Sequence, residues 1–381
     1  MKNIAVIFGG NSVEHDISIL TGLHAARHVE NFHVHHVYLT RDNQMLTGGN
    51  IANIDAHINN KIKGKHCHFR DGKLYIKNKS IPIVSALNCC HGGVGENGEL
   101  SAYLSVAGIP VTSSPHVSAS IMQSKTQTRE ILQRNGFVQP KFVTFSRDEI
   151  NPSAVQINDV LHTLIINQIN FPVIVKPDTL GSSIGINVAN NETELGNALE
   201  IAFKLDRAVI VEQFLQNIRE INCSAMRVGN QIKVSECEQI CTKKQFLDFD
   251  TKYLDAESGF IKKGKDENGK KLRKAPQGED NADQKLFDEI KQMTARAYQL
   301  FGASGIVRAD FIVVDNQIYL NEINTIPGFL SYHLWARAGI PYGVLINEAV
   351  TQSIHEFKNR NPEISSFKSD ILVKNRQLAI N

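Results

Sequence analysis

Residues 305–329 read "GIVRADFIVVDNQIYLNEINTIPGF": two apolar runs around a polar tip, ending at Pro327-Gly328. A turn centred on Asn316 folds the runs into an antiparallel hairpin, which pairs Asp310 with Glu322 and Arg308 with Asn324 on one face. The flanking "FIVV" and "IYL" are too apolar for an exposed surface ribbon. Two facing carboxylates repel unless one keeps its proton or a cation lies between them. Carboxylate and amide oxygens are hard ligands of the kind Mg²⁺ takes, with phosphate or water completing its shell. The pattern therefore predicts a metal that bridges phosphate oxygens.

The 381 residues suffice for two or three domains, and with 42% apolar and 21% charged residues they describe a folded protein. Forty-one basic residues against 39 acidic ones leave no single-sign field, which disfavours nucleic-acid and membrane-surface partners. "MKNIAVIFGG" is too short and too soon broken for a signal peptide, and no run is long enough to cross a bilayer, so a cytoplasmic location is expected. The six cysteines lack framework spacing and are expected to be reduced.

Strand-like and helix-like runs alternate through the chain, the pattern of an α/β (α+β) protein. An open parallel sheet is expected in residues 1–118, a central unit in 119–206, a third in 207–360, and a tail in 361–381. Residues 246–280 are polar, lysine-rich and long for a connection, as a functional lid would be. His24, His28, His33, His35 and His36 are expected on solvated surface. "GVGENG" at 93–98 has the outline of a dinucleotide fingerprint but lacks its downstream acid, and "GFIKKGKD" at 259–266 has no preceding strand. "LGSSIG" at 180–185 is more telling. It follows "VIVKP" directly, so its backbone amides and Lys176 are placed to meet phosphate oxygens.

"FGGNSVEHDIS", "HGGVGENGE", "KPDTLGSSIG", "VEQFLQNIRE", "TKY", "RAD" and "NEINTIPGF", in this order, resemble the D-alanine:D-alanine ligases of the ATP-grasp superfamily. The likeness runs from Met1 to about Asn347. It implies a three-domain ATP-grasp fold, with an N-terminal parallel-sheet domain and two domains that clasp the nucleotide. It also implies two Mg²⁺ ions, with Mn²⁺ able to replace them, amino-acid substrates, and a homodimer through the first domain. ATP would phosphorylate the carboxylate of one D-alanine, and the amine of a second would attack the acyl phosphate, giving the dipeptide used in peptidoglycan, ADP and phosphate.

By the same resemblance, Glu14 anchors the first substrate's ammonium, His91 and Glu96 lie near it, and Ser182 links Glu14 to Tyr253 of the lid. Lys125 and Lys176 meet nucleotide phosphates, with Ser183 and Lys252 beside them. Glu212, Gln213, Leu215 and Glu220 meet adenine and ribose, Gln213 standing where the family commonly has lysine. Asp310, Glu322 and Asn324 hold metal, while Arg308 and the Gly328 amide form the oxyanion site, glycine there allowing close approach of the backbone.

Two stretches depart from the pattern. Ser124 stands where an aspartate usually precedes the lysine. After Gly328 the family's threonine and serine-leucine-aromatic-proline stretch is replaced by "FLSYHLWARAGIPY", about one helical turn shorter. Ser331 and His333 are both candidates for the missing serine, with Leu334 beside them. A different acceptor, and a nucleotide-binding protein without ligation, are the alternative readings this departure raises.

Overall fold

The computed structural model describes residues 1–148, 157–240, 281–360 and 371–376. In the first sheet Lys2–Gly9 lies between Phe32–Leu39 and Ser85–Asn88, parallel to both, while Met45–Thr47 and Lys65–His66 extend one edge antiparallel. The expected parallel sheet is thus mixed. Its central residues Ile4 to Phe8 are fully buried because both faces are covered. Ile4, Val6 and Phe8 meet the helices His15–Arg27 and Tyr342–Arg360, and Ala5 and Ile7 meet Glu99–Val106. The chain therefore returns at its end to complete the first core.

A second, antiparallel sheet runs Asn187–Ala189, Val173–Pro177, Ala208–Gln213, Phe142–Ser146. Helices Ile157–Ile166 and Glu192–Leu205 cover one of its faces through Val160, Leu164, Leu195, Leu199 and Phe203. The strand Ala208–Gln213, which the sequence division at residue 206 assigns to the third unit, is an interior strand here. "SASIMQSKTQTREILQRNGF", read as one helical run, forms two helices, His116–Gln123 and Lys125–Arg134. Ser124 breaks them with extended backbone and caps the second by accepting from the Gln127 amide at 3.2 Å.

The third sheet centres on Arg219–Val228, flanked by Gln231–Val234, Glu238–Ile240 and Val307–Val314, with Gln317–Asn324 outside the last. Helix Asn281–Leu300 buries Phe287, Ile290, Ala297 and Tyr298 against it. Along Val307–Val314 burial alternates, so Val307, Ala309, Phe311 and Val313 face this core and Arg308 and Asp310 the opposite side.

The hairpin differs from its sequence reading in one respect. Its turn is the pair Asp315-Asn316, both left-handed, which makes Val314 pair with Gln317 and Phe311 with Leu320. Asn321 is then an extra residue, a β-bulge, after which Asp310 faces Glu322 and Arg308 faces Asn324 as expected. The interval from Leu320 to Ile323, three residues where strand period requires two, carries this signal in the sequence.

Of the five histidines read as solvated, only His33 is exposed. His24 stacks on Tyr342 at 5.2 Å and meets Phe329 and Tyr332, so it belongs to an aromatic cluster behind the Pro327-Gly328 turn. The five described cysteines are buried and free, and Cys241 lies outside the described residues.

Trp335, the only tryptophan, is fully buried and donates to Ser224 Oγ at 2.9 Å, which joins the segment after the turn to the third sheet. Trp335→Ala should lose about 3–5 kcal/mol of stability in urea denaturation. A loss below about 1 kcal/mol would show that this segment does not help hold the core.

Candidate active site

Asp310 is held in a two-point ion pair by Arg308 (Nε–Oδ1 2.6 Å, Nη2–Oδ2 2.7 Å), and the Asn324 amide donates to its Oδ2 at 2.9 Å. Directly across the ladder stands Glu322. The cation that the facing carboxylates require is thus partly supplied by Arg308. No group of three or more His, Cys, Asp or Glu side chains able to hold a metal occurs among the described residues. Two carboxylates and an amide do fit Mg²⁺, which keeps part of its shell for phosphate oxygens and water.

A cleft beside Glu322 and Asn324 is lined also by Lys125, Glu96 and residues 179–181. Lys125 Nζ donates to the Leu180 carbonyl at 2.6 Å, and burial lowers its pKa against the opposing pull of Glu322. Asp178 accounts for the Ser124 departure. It accepts from Ser124 Oγ at 2.7 Å and from the Thr126 amide at 2.7 Å, so the carboxylate at this helix start comes from the neighbouring strand end. A second acid at position 124 would sit against it.

The next cleft is lined by Lys176, Glu212, Gln213 and Leu215, with Ile174, Phe214 and Tyr319 as apolar walls. Such walls suit a flat aromatic base. The Glu212 carboxylate is not open to a ligand: it is 2% exposed, with Lys176 Nζ at 2.5 Å and Arg129 Nε at 2.7 Å. Burial alone would raise its pKa, but the two cations outweigh burial and hold it at about 2. Glu220 pairs with Ile312 in the ladder and so shares the face of Asp310.

Glu14 precedes helix His15–Arg27, is 8% exposed, and accepts a hydrogen bond from Ser182 Oγ. Ser182 and Ser183 both take left-handed backbone, a conformation that serine holds only under tertiary constraint. Gly92 makes room for Glu14. With φ +64°, a Cβ there would lie 2.3 Å from Ser12 Oγ and 3.1 Å from Glu14 Oε2.

His91 and Glu96 grip the chain just before the turn. His91 Nδ1 lies 2.6 Å from the Ile326 carbonyl and must donate, so Nε2 accepts from Thr21 Oγ1 at 2.7 Å. Thr21 in turn accepts from the Phe329 amide at 3.2 Å. Burial lowers the His91 pKa, in keeping with this neutral form. Glu96 accepts from the Ile326 amide at 3.0 Å and the Gly92 amide at 3.1 Å, and burial, with Glu14 nearby, pushes its pKa up to about 8. Thr21 was not foreseen from sequence, since a threonine inside a helix carries no distinctive signal.

Around Gly328 the protein itself leaves open space. A Cβ there would meet nothing within 4 Å and its φ is not left-handed, so no protein neighbour demands glycine. The strain falls on the next three residues, Phe329, Leu330 and Ser331, with φ of 48°, 53° and 52°. Ser331 is fully buried, and its hydroxyl has no hydrogen-bond partner among the described residues. His333 Nε2 lies 3.0 Å from Glu238, which Arg337 also contacts at 2.8 Å. The Leu334 side chain, a candidate substrate contact, is fully buried in protein. Glu238 was missed because only sheet register reveals it: it pairs with Asn222, which pairs with Asp310. Lys252, Tyr253 and the 246–280 segment lie outside the described residues.

Three sheets converge on a cleft lined by Lys125, an apolar-walled slot beside Lys176 and a facing carboxylate pair, an arrangement suited to a nucleotide-dependent ligase. Residues 3–114 match the family model described as D-ala D-ala ligase N-terminus, and residues 131–354 match that of the C-terminus. A D-alanine–D-alanine ligase from Thermosipho africanus is 32% identical, over 97% of this chain and 98% of that protein. The solved D-alanine-D-alanine ligase from Coxiella burnetii has a TM-score of 0.76 at 20% identity, covering 100% of this chain and 99% of its own. The VanG D-Ala:D-Ser ligase from Enterococcus faecalis has a TM-score of 0.75 at 24% identity, covering 92% and 99%. The fold is ATP-grasp, and the chain belongs to the D-alanine:D-alanine ligase family of ATP-dependent ligases.

Glu96 allows a test of the buried carboxyl. Its stabilising contribution is fully present below the ordinary carboxylate range and is lost as pH rises through about 8, because only the folded state retains the proton. Urea midpoints measured from pH 6.5 to 9 should fall in the wild type and fall less in Glu96→Gln. Parallel profiles would place the Glu96 pKa in the normal range.

Proposed function

We propose that the protein joins two D-alanines at the expense of ATP, supplying the dipeptide for peptidoglycan synthesis. The observation that carries this is the shared face of Arg308, Asp310, Glu322 and Asn324 beside a lysine-lined cleft. Carboxylate is a poor electrophile. Transfer of the γ-phosphoryl group to one carboxylate oxygen creates a leaving group, and the second amine then displaces phosphate from the carbonyl carbon.

Base and ribose are held in the slot around Leu215, Gln213 and Glu220, with Lys125, Lys176 and Ser183 directed to the phosphates. Asp310, Glu322 and Asn324 would hold Mg²⁺, or Mn²⁺ in its place. Neutralisation of charge on the transferring phosphoryl group is the chemistry the metal supplies when bound. Glu14, oriented by Ser182, receives the first substrate's ammonium. Arg308 and the Gly328 amide face the oxygen that becomes negative when the amine adds, and the His91–Thr21–Phe329 chain holds that turn in place.

For the acceptor carboxylate, Ser331 and His333 both stay candidates: the Ser331 hydroxyl has no hydrogen-bond partner among the described residues but is fully buried, and His333 is part-exposed with its Nε2 3.0 Å from Glu238. No described helix is long and apolar enough to cross a membrane. A cytoplasmic homodimer associated through its first domain is the assembly that the family likeness favours.

Incubation with ATP, Mg²⁺ and D-alanine should release ADP, phosphate and D-alanyl-D-alanine in equal amounts. ATP hydrolysis without dipeptide, or no D-alanine-dependent turnover, would sink the substrate assignment. Arg308→Ala should lower kcat by about 10²–10³ while nucleotide binding persists. Unchanged turnover would remove Arg308 from the oxyanion site.

A further inference from the structure

Arg129 belongs to neither the lysine pair nor the metal ligands, yet it is the most deeply buried cation near them, 1% exposed at the side chain. All its nitrogens are engaged. Nε donates to Glu212 Oε1 at 2.7 Å, Nη1 to the Leu320 and Asn321 carbonyls at 2.8 and 2.6 Å, and Nη2 to Asn321 Oδ1 at 2.9 Å. In a regular strand successive carbonyls point opposite ways, so one nitrogen cannot reach both. Here the bulge at Asn321 brings them within reach of one guanidinium, and that bulge is what puts Glu322 opposite Asp310.

The charges support a second task. Glu212 is one carboxylate shared by two cations, Arg129 and Lys176. While Arg129 stays, Lys176 can leave Glu212 without stranding a bare buried anion. Asn321 also lines both the base slot and the phosphate cleft, and its Oδ1 lies 3.5 Å from Lys176 Nζ. Arg129 therefore touches the wall between the two halves of the nucleotide site.

We propose that Arg129 is a positioning residue of the ligase: it fixes the Asn321 bulge that sets Glu322 against Asp310, and it neutralises Glu212 so that Lys176 is free to meet the nucleotide's phosphates. This rests on the nucleotide-and-metal reading of the site given above. It also explains why arginine is required. A lysine would keep the charge beside Glu212 but, with one nitrogen, could not span Glu212 and both carbonyls.

The test compares full-length wild type, Arg129→Lys, Arg129→Met and Asn321→Ala. Three readouts are needed: thermal melting, ADP affinity by calorimetry, and Mn²⁺ affinity in the presence of ADP from the free-Mn²⁺ electron paramagnetic resonance signal. Arg129→Lys should keep ADP affinity within about threefold while weakening Mn²⁺ at least about tenfold, since charge is retained and the bulge is released. Arg129→Met should weaken both, because Lys176 is then pinned to Glu212.

Asn321→Ala, which keeps the arginine, should weaken Mn²⁺ by a smaller factor and serves if the arginine variants do not fold. Wild-type Mn²⁺ affinity in folded Arg129→Lys, or melting changes alone across the set, would overturn the proposal. Wild type that binds Mn²⁺ and ADP but makes no dipeptide would instead overturn the function, leaving the affinity comparison to judge Arg129 on its own.

Discussion

Two carboxylates set opposite one another across an antiparallel ladder are the constraint around which the site is organised. Asp310 and Glu322 would repel in a partly buried sheet, and Arg308, two residues before Asp310 on the same face, takes up part of that charge. The rest calls for a cation and its phosphates. What makes the opposition happen is small: one extra residue, Asn321, in an otherwise regular hairpin. Were Asn321 paired as a regular ladder residue, the register near the turn would continue and Glu322 would face the helix-covered core.

The same turn is fixed from the other side by the first sheet. His91, Glu96 and Thr21 bind the backbone of Ile326 and Phe329, the Thr325 hydroxyl donates to the Glu96 carbonyl, and the helix Tyr342–Arg360 carries the chain back into the first core. Backbone strain at Phe329 to Ser331 persists because these contacts over-determine it. The residues read as receiving the first substrate and those read as stabilising the reacting carbonyl are therefore mechanically one unit. Glu14 and Ser182 extend that unit to the second sheet.

Much of this was legible in the sequence, and the exceptions have physical causes. Period-two alternation identified the Asp310/Glu322 face, since side-chain direction in a strand is a local property. The bulge that makes the pairing correct was overlooked, although the Leu320 to Ile323 spacing records it. Arg129 and Asp178 carried no signal, because their partners lie across tertiary contacts on other elements. His24 and His28 looked solvated because helical period alone does not show that Tyr332 and Tyr342 pack over them. The division at residue 206 puts the strand Ala208–Gln213 in the third unit for the same reason: pairing partners are not encoded in composition. The left-handed backbone at Phe329 to Ser331, beside Gly328, carried no signal either, since none of these residue types favours it.

The central claim is that a substrate carboxylate is activated by taking the γ-phosphoryl group. D-alanine labelled with ¹⁸O in both carboxylate oxygens tests it directly, with the released phosphate analysed by ³¹P NMR. If the carboxylate oxygen attacks phosphorus and later leaves with it, each phosphate should carry one ¹⁸O and the new peptide carbonyl should retain the other. Phosphate free of ¹⁸O, formed while dipeptide accumulates, would contradict an acyl phosphate route.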